Sequence, residues 1–359
     1  MARSEVSPRA PGMLDVARVA GVSHQTVSRV LNGHPSVRPE TRERVQSAIR
    51  ELGYRRNPAA RALVTRRSST IGLLTANSNR SGPVSTLVAV EEASRAAGLW
   101  ISVASLRRYD QAGVRAALDH FLDQGVEGLV VIAPVTGALE AARAVSVGVP
   151  VVVVAPPTWT EGAAPGEAPL AVSVDQRGGA RAVVAHLAGL GHTAIAHLAG
   201  PSAWLDASER QVGWREELDA RGLAAGQQLR GDWTAASGYA AAAQLDPSTT
   251  AVFAANDQMA LGLVRGLVER GLRVPEDVSV AGFDDIEIAA YALPPLTTVR
   301  QDFGALGLAA VRLLLGRLAG EPAPPATLVP ATLAVRASTA APRPGPTPGG
   351  VAAPVQRTG

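Results

Sequence analysis

Residues 13–33 read MLDVARVAGVSHQTVSRVLNG, and their apolar side chains repeat at helical spacing in two short stretches. In the first stretch, Val16, Ala17 and Ala20 lie on one face of a helix. Gly21 follows, and glycine commonly ends a helix because it adopts the left-handed conformation without strain. The segment therefore predicts a short amphipathic helix that ends in a tight turn.

A second and a third helix are predicted after this turn. Ser23 can cap the second helix, Val27 and Val30 would face inward, and Asn32-Gly33 would end it. Pro39 suits the first turn of a third helix, whose apolar residues again repeat at helical spacing. Two short helices joined by a glycine-containing turn and braced by a third form an all-α helix-turn-helix unit.

The positive charge of the chain is concentrated in the same region. Residues 1–67 carry 13 arginines against 5 acidic residues, a net charge of +8, whereas the remaining residues carry 21 arginines against 26 acidic residues, a net charge of −5. A basic head on an acidic body indicates that the head meets a polyanion such as DNA. A solvated, disordered basic arm is the alternative that charge alone leaves open.

The outward face of the second helix carries side chains that could bind DNA. Arginine pairs with guanine through two hydrogen bonds, and glutamine can pair with adenine in the major groove. Hydroxyl groups bond phosphates and position a helix without reading sequence. A polar surface helix with no partner is the alternative. The candidates for phosphate contact and positioning are Ser23, Thr26, Ser28 and Asn32.

Three segments of the head, residues 15–17, 20–23 and 26–32, resemble the DNA-binding head of the lactose/galactose repressor family of bacterial transcriptional regulators. The resemblance extends over residues 13–65 nearly without gaps. It implies that the second helix docks in the major groove, and that the base-reading residues are His24, Gln25 and Arg29.

Residues 57–63, NPAARAL, begin with a capping residue and a proline and then favour helix. A helix this short is marginal by itself, so it would form only when packed against a twin copy and DNA. The resemblance implies a hinge at residues 57–67 that contacts the minor groove through Asn57, Ala60 and Leu63, with the leucine wedged between base steps. An ordinary interdomain linker is the alternative.

From Thr70 onward, short apolar runs alternate with amphipathic stretches, a pattern typical of parallel sheets covered by helices. The runs are too many for one small sheet, so we predict two α/β lobes whose ligand lies beyond the carboxyl ends of the strands. The predicted strands are 71–75, 100–105, 128–133, 151–155, 171–174, 194–199, 251–255, 278–282 and 297–300, and the predicted helices are 86–97, 115–124, 177–190, 208–221 and 258–270.

Polar side chains and one aromatic residue stand at or near the ends of these strands. Asn256 and Asp284 follow two of them, Arg210 lies in a predicted helix, and Trp233 lies in a loop. Carboxylate, amide and guanidinium groups can each bond two hydroxyls, and an indole offers a flat surface for a sugar ring. The residues alone leave open whether this is a sugar site or a set of loop groups that satisfy one another.

Segments 198–201, 231–234 and 255–262, together with 271–274, 294–298 and 301–303, resemble the effector-binding core of sugar-responsive members of the same family. The resemblance is closer to these members than to the purine-responsive branch. It implies a two-lobed fold of the periplasmic-binding type, in which three residues bond sugar hydroxyls, two aromatic residues pack the ring and one glutamine lines the cleft. Arg210, Asn256 and Asp284 would bond the hydroxyls, Trp233 and Phe303 would pack the ring, and Gln301 would line the cleft.

The first lobe departs from this pattern. Ala155 stands where such a sugar-responsive regulator has an aspartate that lines the ligand, and Ile132 stands where it has an asparagine. We therefore expect a pyranose effector, a β-galactoside or a related sugar, with its substituent in a remodelled pocket.

Several classes of activity lack support in the sequence. The chain contains no cysteine, and all 34 of its basic residues are arginine, which excludes disulfides, thiolate metal sites and Schiff-base or P-loop lysines. G-x-G-x-x-G and G-x-S-x-G motifs are absent, and the six histidines do not stand at metal-ligand spacing. We therefore predict a protein that is not an enzyme and that binds no metal or cofactor.

The predicted organisation has five parts. Residues 337–359 are rich in proline, alanine and glycine without heptads, so we expect disorder there and a homodimer rather than a tetramer. Residues 1–12 lack the apolar run of a secretory signal, and we expect a cytoplasmic protein without a membrane segment. The parts are a flexible arm at 1–12, the helix-turn-helix domain at 13–56, the hinge at 57–67, a two-lobed effector-binding and dimerisation core at 68–336, and the tail at 337–359.

Taken together, these patterns predict a sequence-specific transcriptional regulator, a repressor of sugar-utilisation genes that a sugar effector releases from a pseudo-palindromic operator. The alternatives are a sugar-binding receptor without DNA function, a sugar-converting enzyme, and a regulator of the same family that answers to a purine. An activator also remains open, because sequence does not locate the operator relative to a promoter.

Overall fold

The structure is a computed structural model that describes residues 11–55, 67–76, 80–106, 110–132, 135–136, 148–157, 170–322, 324 and 326–343. By its internal contacts the chain divides into two compact units, residues 1–68 and 69–359. The hinge residues Asn57, Ala60 and Leu63 and the arm residues 1–10 lie outside the described residues.

The first unit is the predicted helix-turn-helix head. It contains α1 (Met13–Ala20), α2 (His24–Leu31) and α3 (Pro39–Leu52). Gly21 ends α1 with φ +64°, and the Ser23 hydroxyl caps α2 by accepting a hydrogen bond from the Thr26 backbone N–H at 3.2 Å. The three helices share a core of small apolar side chains around Val16, Val27 and Val45, which are fully buried.

The second unit contains two six-stranded sheets. The strands of the first sheet are all parallel, in the order β11-β5-β4-β3-β1-β2, and those of the second follow the order β12-β10-β9-β8-β6-β7, with only β12 antiparallel to its neighbour. The strands are β1 (Thr70–Ala76), β2 (Trp100–Leu106), β3 (Gly128–Ile132), β4 (Val151–Val154), β5 (Leu170–Val174), β6 (Ile195–Ala199), β7 (Gln228–Arg230), β8 (Ala251–Ala254), β9 (Ser279–Asp284), β10 (Thr297–Gln301), β11 (Thr327–Val329) and β12 (Ala331–Ala334).

Each sheet is covered by helices and forms one lobe. In the first lobe, the sheet packs against α4 (Ser81–Ala96), α5 (Gln111–Asp123) and a helix from later in the chain, α10 (Phe303–Leu318). The second lobe is covered by α6 (Gln176–Gly189), α7 (Leu205–Ala220), α8 (Ala235–Ala241) and α9 (Asp257–Glu269). The predicted two-lobed α/β architecture is confirmed.

Within the described residues, the chain passes between the lobes at three points, after β5, after β10 and after β11. Aspartates cap the two helices that follow the first two crossings: Asp175 accepts from the Gly178 N–H, and Asp302 accepts from the Ala305 N–H, both at 2.8 Å. The Asp175 N–H also donates to the Val329 carbonyl at 2.8 Å, which ties the first crossing to the third. The crossings are therefore held at defined positions.

The nine predicted strands and five predicted helices each overlap an observed element, with ends that shift by up to five residues. Sequence reasoning missed the short strands β7, β11 and β12 and the helices α8 and α10. The missed strands have three or four residues, too few to show a period. In α10, apolar residues occupy almost every position of FGALGLAAVRLLLGRL, because sheet residues and α4 cover much of the helix, so no polar stripe marks the helical period.

The expected disorder of residues 337–359 is wrong for residues 337–343. Ser338 is fully buried, where its hydroxyl donates to the Val280 carbonyl at 2.6 Å and accepts from the Thr297 N–H at 2.8 Å. Arg343 pairs with Asp277 at 2.8 Å. Composition failed here because polar contacts, rather than apolar burial, hold the segment to the second lobe. Residues 344–359 lie outside the described residues.

No helix of the described residues is long and apolar enough to cross a membrane.

We predict that Ser338→Ala lowers the free energy of unfolding of the core by about 1–3 kcal/mol, because it leaves a buried backbone donor without its acceptor. Chemical unfolding followed by tryptophan fluorescence measures the core alone, since all five tryptophans lie between residues 100 and 233. The control, Ser202→Ala, changes an exposed serine and should leave the transition unchanged. Equal stability of the two variants would mean that the segment is not held as described.

Candidate functional site

A cleft with an empty volume of about 740 Å³ lies between the two lobes of the core. The wall from the second lobe carries charged, amide and indole groups, whereas the wall from the first lobe includes the apolar side chains of Pro83, Ile132, Val154 and Ala155. The described first-lobe wall also carries polar side chains, from Arg80, Ser81, Thr86 and Ser173, so the apolar part of the cleft is the patch around Ile132 and Ala155.

Four buried side chains form a closed ring of polar contacts in the second-lobe wall. The Arg210 Nε donates to the Gln176 side-chain carbonyl at 2.8 Å, and the Gln176 amide donates to the Gln301 side-chain carbonyl at 2.9 Å. The Gln301 amide then donates to Asp284 Oδ1 at 2.7 Å, and Arg210 Nη2 lies 3.3 Å from the same oxygen. Each member is thus fixed by its two neighbours.

The ring also joins two of the crossings between the lobes. Gln176 is the first residue of α6, immediately after the first crossing, and Gln301 is the last residue of β10, immediately before the second. The hydrogen bond between their side chains therefore links the chain segments of the first and second crossings. A ligand that changes this ring acts where the lobes are connected.

Arg210 is anchored by further contacts. Its side chain is only 4% exposed, its guanidinium lies 3.8 Å from the centroid of the Phe283 ring, and Nη1 donates to the Ala255 carbonyl. Burial raises the pKa of the Asp284 carboxyl to about 6, although the positive charge of Arg210 acts in the opposite direction. The site thus holds a buried ion pair between Arg210 and Asp284.

Two indoles form the aromatic part of the cleft. Trp204 and Trp233 pack edge to face with ring centroids 5.6 Å apart. Trp233 has φ +74°, and a Cβ at residue 200 would lie 2.3 Å from its ring, so the glycine of the Leu198–Pro201 segment is required for this packing. The loop conformation and Gly200 together hold the indole against the strand end.

The structure brings all six predicted effector-binding residues to this one cleft. Asn256 has a structural role as well, because its carbonyl caps α9 by accepting from the Met259 N–H and its amide donates to Trp233 and Gln258. The individual ligand contacts of the six stay predictions. The six are Arg210, Trp233, Asn256, Asp284, Gln301 and Phe303.

The predicted site did not include several other polar and aromatic residues of the cleft: Arg80, Ser81, Thr86, Ser173, Gln176, Trp204, Asp206 and Gln258. Gln176 stands two residues after β5, so inspection of every strand end would have found it. Asp206 stands four residues before Arg210 in α7 and shares its helix face, a signal that was available from spacing alone.

The adjacent aspartates 284 and 285 have separate partners, as their opposite directions along a strand predict. Asp285 pairs with Arg300 and Arg336, both at 2.6 Å, and has no part in the ring. Asp284 alone faces the cleft.

The head presents the predicted DNA-contacting residues on α2. His24, Gln25 and Arg29 are exposed. The Ser23 and Thr26 hydroxyls bond each other at 2.9 Å, and Ser28 and Asn32 lie one turn apart on the same helix. A groove between α2 and α3 is lined by three arginines, two of them outside the predicted set: Arg29, Arg38 and Arg44. Such a surface suits a polyanion.

Among the described residues, no group of three histidine, aspartate or glutamate side chains could hold a metal ion.

Asp257 supports the turn that places Asp284. It is fully buried, accepts from the Thr298 hydroxyl at 2.5 Å and accepts from the Ile286 N–H at 2.9 Å. Burial, and after it the negative charge of Asp284, raises the pKa of Asp257 to about 8. Because the unfolded chain would titrate near 3.8, the folded state holds a proton that the unfolded state lacks between these values.

We predict that the stability of the core falls as pH rises from 6 to 8, because the folded state keeps a proton on Asp257 that the unfolded chain has already released, and that this decline levels off above pH 8. Asp257→Asn, which mimics the protonated carboxyl, should flatten that decline. Thermal unfolding of both proteins across this range gives the slopes, and Asp219→Asn on the exposed face of α7 is the control. A parallel decline in wild type and Asp257→Asn contradicts the assignment.

Comparison with known proteins agrees with this architecture. Residues 12–57 match the model of the lacI family of bacterial regulatory proteins, and residues 184–339 match that of the periplasmic binding protein-like domain. The lactose operon repressor of Escherichia coli strain K12 is 36% identical over 335 residues, which cover 92% of this chain and 91% of the relative.

Two solved structures are also similar. The crystal structure of the lac repressor dimer bound to operator and the anti-inducer ONPF has a TM-score of 0.82 at 34% identity, and the match covers 93% of this chain and all of the other. The transcriptional regulator CelR–cellobiose complex has a TM-score of 0.66 at 34% identity, over 91% of this chain and 99% of the other. The chain belongs to the lacI family of bacterial regulatory proteins, as a DNA-binding transcriptional regulator.

Proposed function

We propose that this protein is a homodimeric repressor of sugar-utilisation genes, which a sugar effector releases from a pseudo-palindromic operator. The effector is a pyranose, a β-galactoside or a related sugar, and it binds in the cleft between the lobes. The protein acts by binding, without catalysis.

The observation that carries the proposal is the ring of Arg210, Asp284, Gln301 and Gln176 beside two tryptophans. Hydroxyl groups both donate and accept, so a sugar can replace contacts within such a ring without leaving a buried group unpaired. An indole covers the apolar face of a pyranose. A planar, hydroxyl-free ligand lacks the groups that could replace these contacts.

The relatives support the same ligand class and the same partner. One similar structure is a complex with cellobiose, and another is a dimer bound to operator. Two heads in one dimer would read two half-sites of a pseudo-palindrome. The base readers would be His24, Gln25 and Arg29, positioned by Ser23, Thr26, Ser28 and Asn32, with Asn57, Ala60 and Leu63 at the minor groove.

The effector acts through the ring because the ring joins the crossings. An effector shifts an equilibrium only by its difference in affinity for the two states. A sugar that bonds Asp284 or Gln301 competes with the Gln176–Gln301 contact and so favours one arrangement of the lobes. We propose that this arrangement is the one with lower affinity for DNA.

Arg29→Ala should weaken binding to a specific duplex by about tenfold to a hundredfold, because a bidentate contact to guanine is lost. The duplex is one that the wild-type protein selects from a random pool, and affinity is measured by fluorescence anisotropy at fixed salt. Arg50→Ala removes an exposed arginine at the end of α3 and is the control. An unchanged duplex preference in Arg29→Ala contradicts the base-reading role.

Arg210→Ala should have the reverse effect, with duplex binding retained and sugar binding weakened by about tenfold to a hundredfold, because charge-assisted hydrogen bonds are lost. A thermal-shift screen of the wild type against sugars and purines first identifies a ligand, and calorimetry then compares the variants. Arg215→Ala, exposed on the same helix, is the control. A normal response of Arg210→Ala to the sugar, or stabilisation of the wild type by purines alone, contradicts the proposal.

A further inference from the structure

Asp206 lies in the same cleft as Arg210 but does not pair with it. The two residues are four positions apart in α7, a spacing at which aspartate and arginine usually form an ion pair on a helix surface. Arg210 turns instead to Gln176, the Ala255 carbonyl and Asp284. Arg210, the side chain that would ordinarily pair with Asp206, therefore has other partners.

The Asp206 carboxylate receives no hydrogen bond and no ion pair from the residues that the structure describes. Its side chain is half-buried and lines the cleft. An ionised carboxylate can accept about four hydrogen bonds, so Asp206 offers acceptor capacity that the described residues leave unused. Burial also raises the pKa of Asp206, and Arg210 opposes that rise, as expected for a carboxyl that lacks donors.

The charges around the cleft determine what could bond Asp206. Arg210 is balanced by Asp284, and Arg80 donates to the Asp232 carbonyl at 3.0 Å. The first-lobe wall offers no carboxylate at Ala155. Asp206 thus adds an acceptor and a negative charge to the second-lobe wall.

Asp206 also lies beside a direct contact between the lobes. The backbone of Trp204, two residues earlier, pairs with that of Val135, and the Thr136 N–H donates to the Ala203 carbonyl at 3.2 Å. A ligand bonded to Asp206 is therefore held at a point where both lobes meet.

We infer that Asp206 is a specificity-determining residue of the cleft, which accepts hydrogen bonds from hydroxyl groups of an uncharged sugar and excludes sugars that carry a phosphate or carboxylate. This inference rests on the proposed sugar-binding function. It assigns to the second lobe a carboxylate acceptor, which is not present among the first-lobe residues that the structure describes at the cleft. Repulsion from Asp206 in a partly desolvated cleft excludes the anionic sugars.

Calorimetry with the full-length protein tests this inference. The probes are galactose, glucose, lactose and cellobiose, together with galactose 6-phosphate and glucose 6-phosphate. The wild type should bind at least one neutral sugar and should bind its phosphorylated counterpart at least tenfold more weakly. Asp206→Asn and Asp206→Ser should each lose about tenfold to a hundredfold in affinity for the neutral sugar.

Asp219→Asn removes the same charge from the same helix outside the cleft and should bind as the wild type does. Thermal unfolding of both Asp206 variants shows whether each is natively folded. The comparison of a neutral sugar with its phosphate is made on the wild type and so does not depend on the folding of a variant. Neutral sugar binding that is equal in wild type, Asp206→Asn and Asp206→Ser overturns the inference and leaves the proposed function intact. Equal affinity of the wild type for a sugar and its 6-phosphate also overturns it. Absence of any sugar binding by the wild type overturns the proposed function itself.

Discussion

The guanidinium of Arg210 is a charged group in a buried position, and the need to pair it determines which groups surround it in the core. A buried charge is tolerated only when its donors are used, so the fold must supply acceptors from several elements at once. It does so with the end of β9, the residue after β8 and the start of α6. One of these acceptors, Gln176, also bonds Gln301, so the contacts around one arginine extend to the residues beside two crossings.

In the proposed function, this arrangement would let binding and conformational change use the same atoms. The contacts of the ring use one N–H of each glutamine amide and three nitrogens of the Arg210 guanidinium, so a ligand can bond the remaining N–H groups as well as compete with existing contacts. The apolar first-lobe wall around Ile132 and Ala155 adds little competition for hydroxyl groups.

Sequence reasoning succeeded where the signal was local. The capped, glycine-ended pattern of residues 13–33 predicted the head. Strand ends indicated Asn256 and Asp284, the family resemblance indicated Arg210, and the structure brings the three to one cleft. Sequence reasoning failed where a residue depends on distant partners. Nothing near Ser338 in the sequence indicates that its hydroxyl bonds β9 and β10, and nothing near Asp206 indicates that Arg210 pairs with Asp284 instead. Such contacts join residues tens of positions apart, so they become visible only when the chain is folded.

The three crossings also limit which segments of this protein recombination between genes can exchange. Neither lobe is a continuous stretch of the gene, because α10 and β11 return to the first lobe after the second has been built, and residues 331–343 then complete the second. Exchange of one lobe between relatives would require several simultaneous breakpoints, and a single recombination would split both cores. The three helices of the head, in contrast, are contiguous. Recombination can therefore transfer a new DNA specificity as one piece, whereas a new effector specificity must arise by point substitution within the cleft.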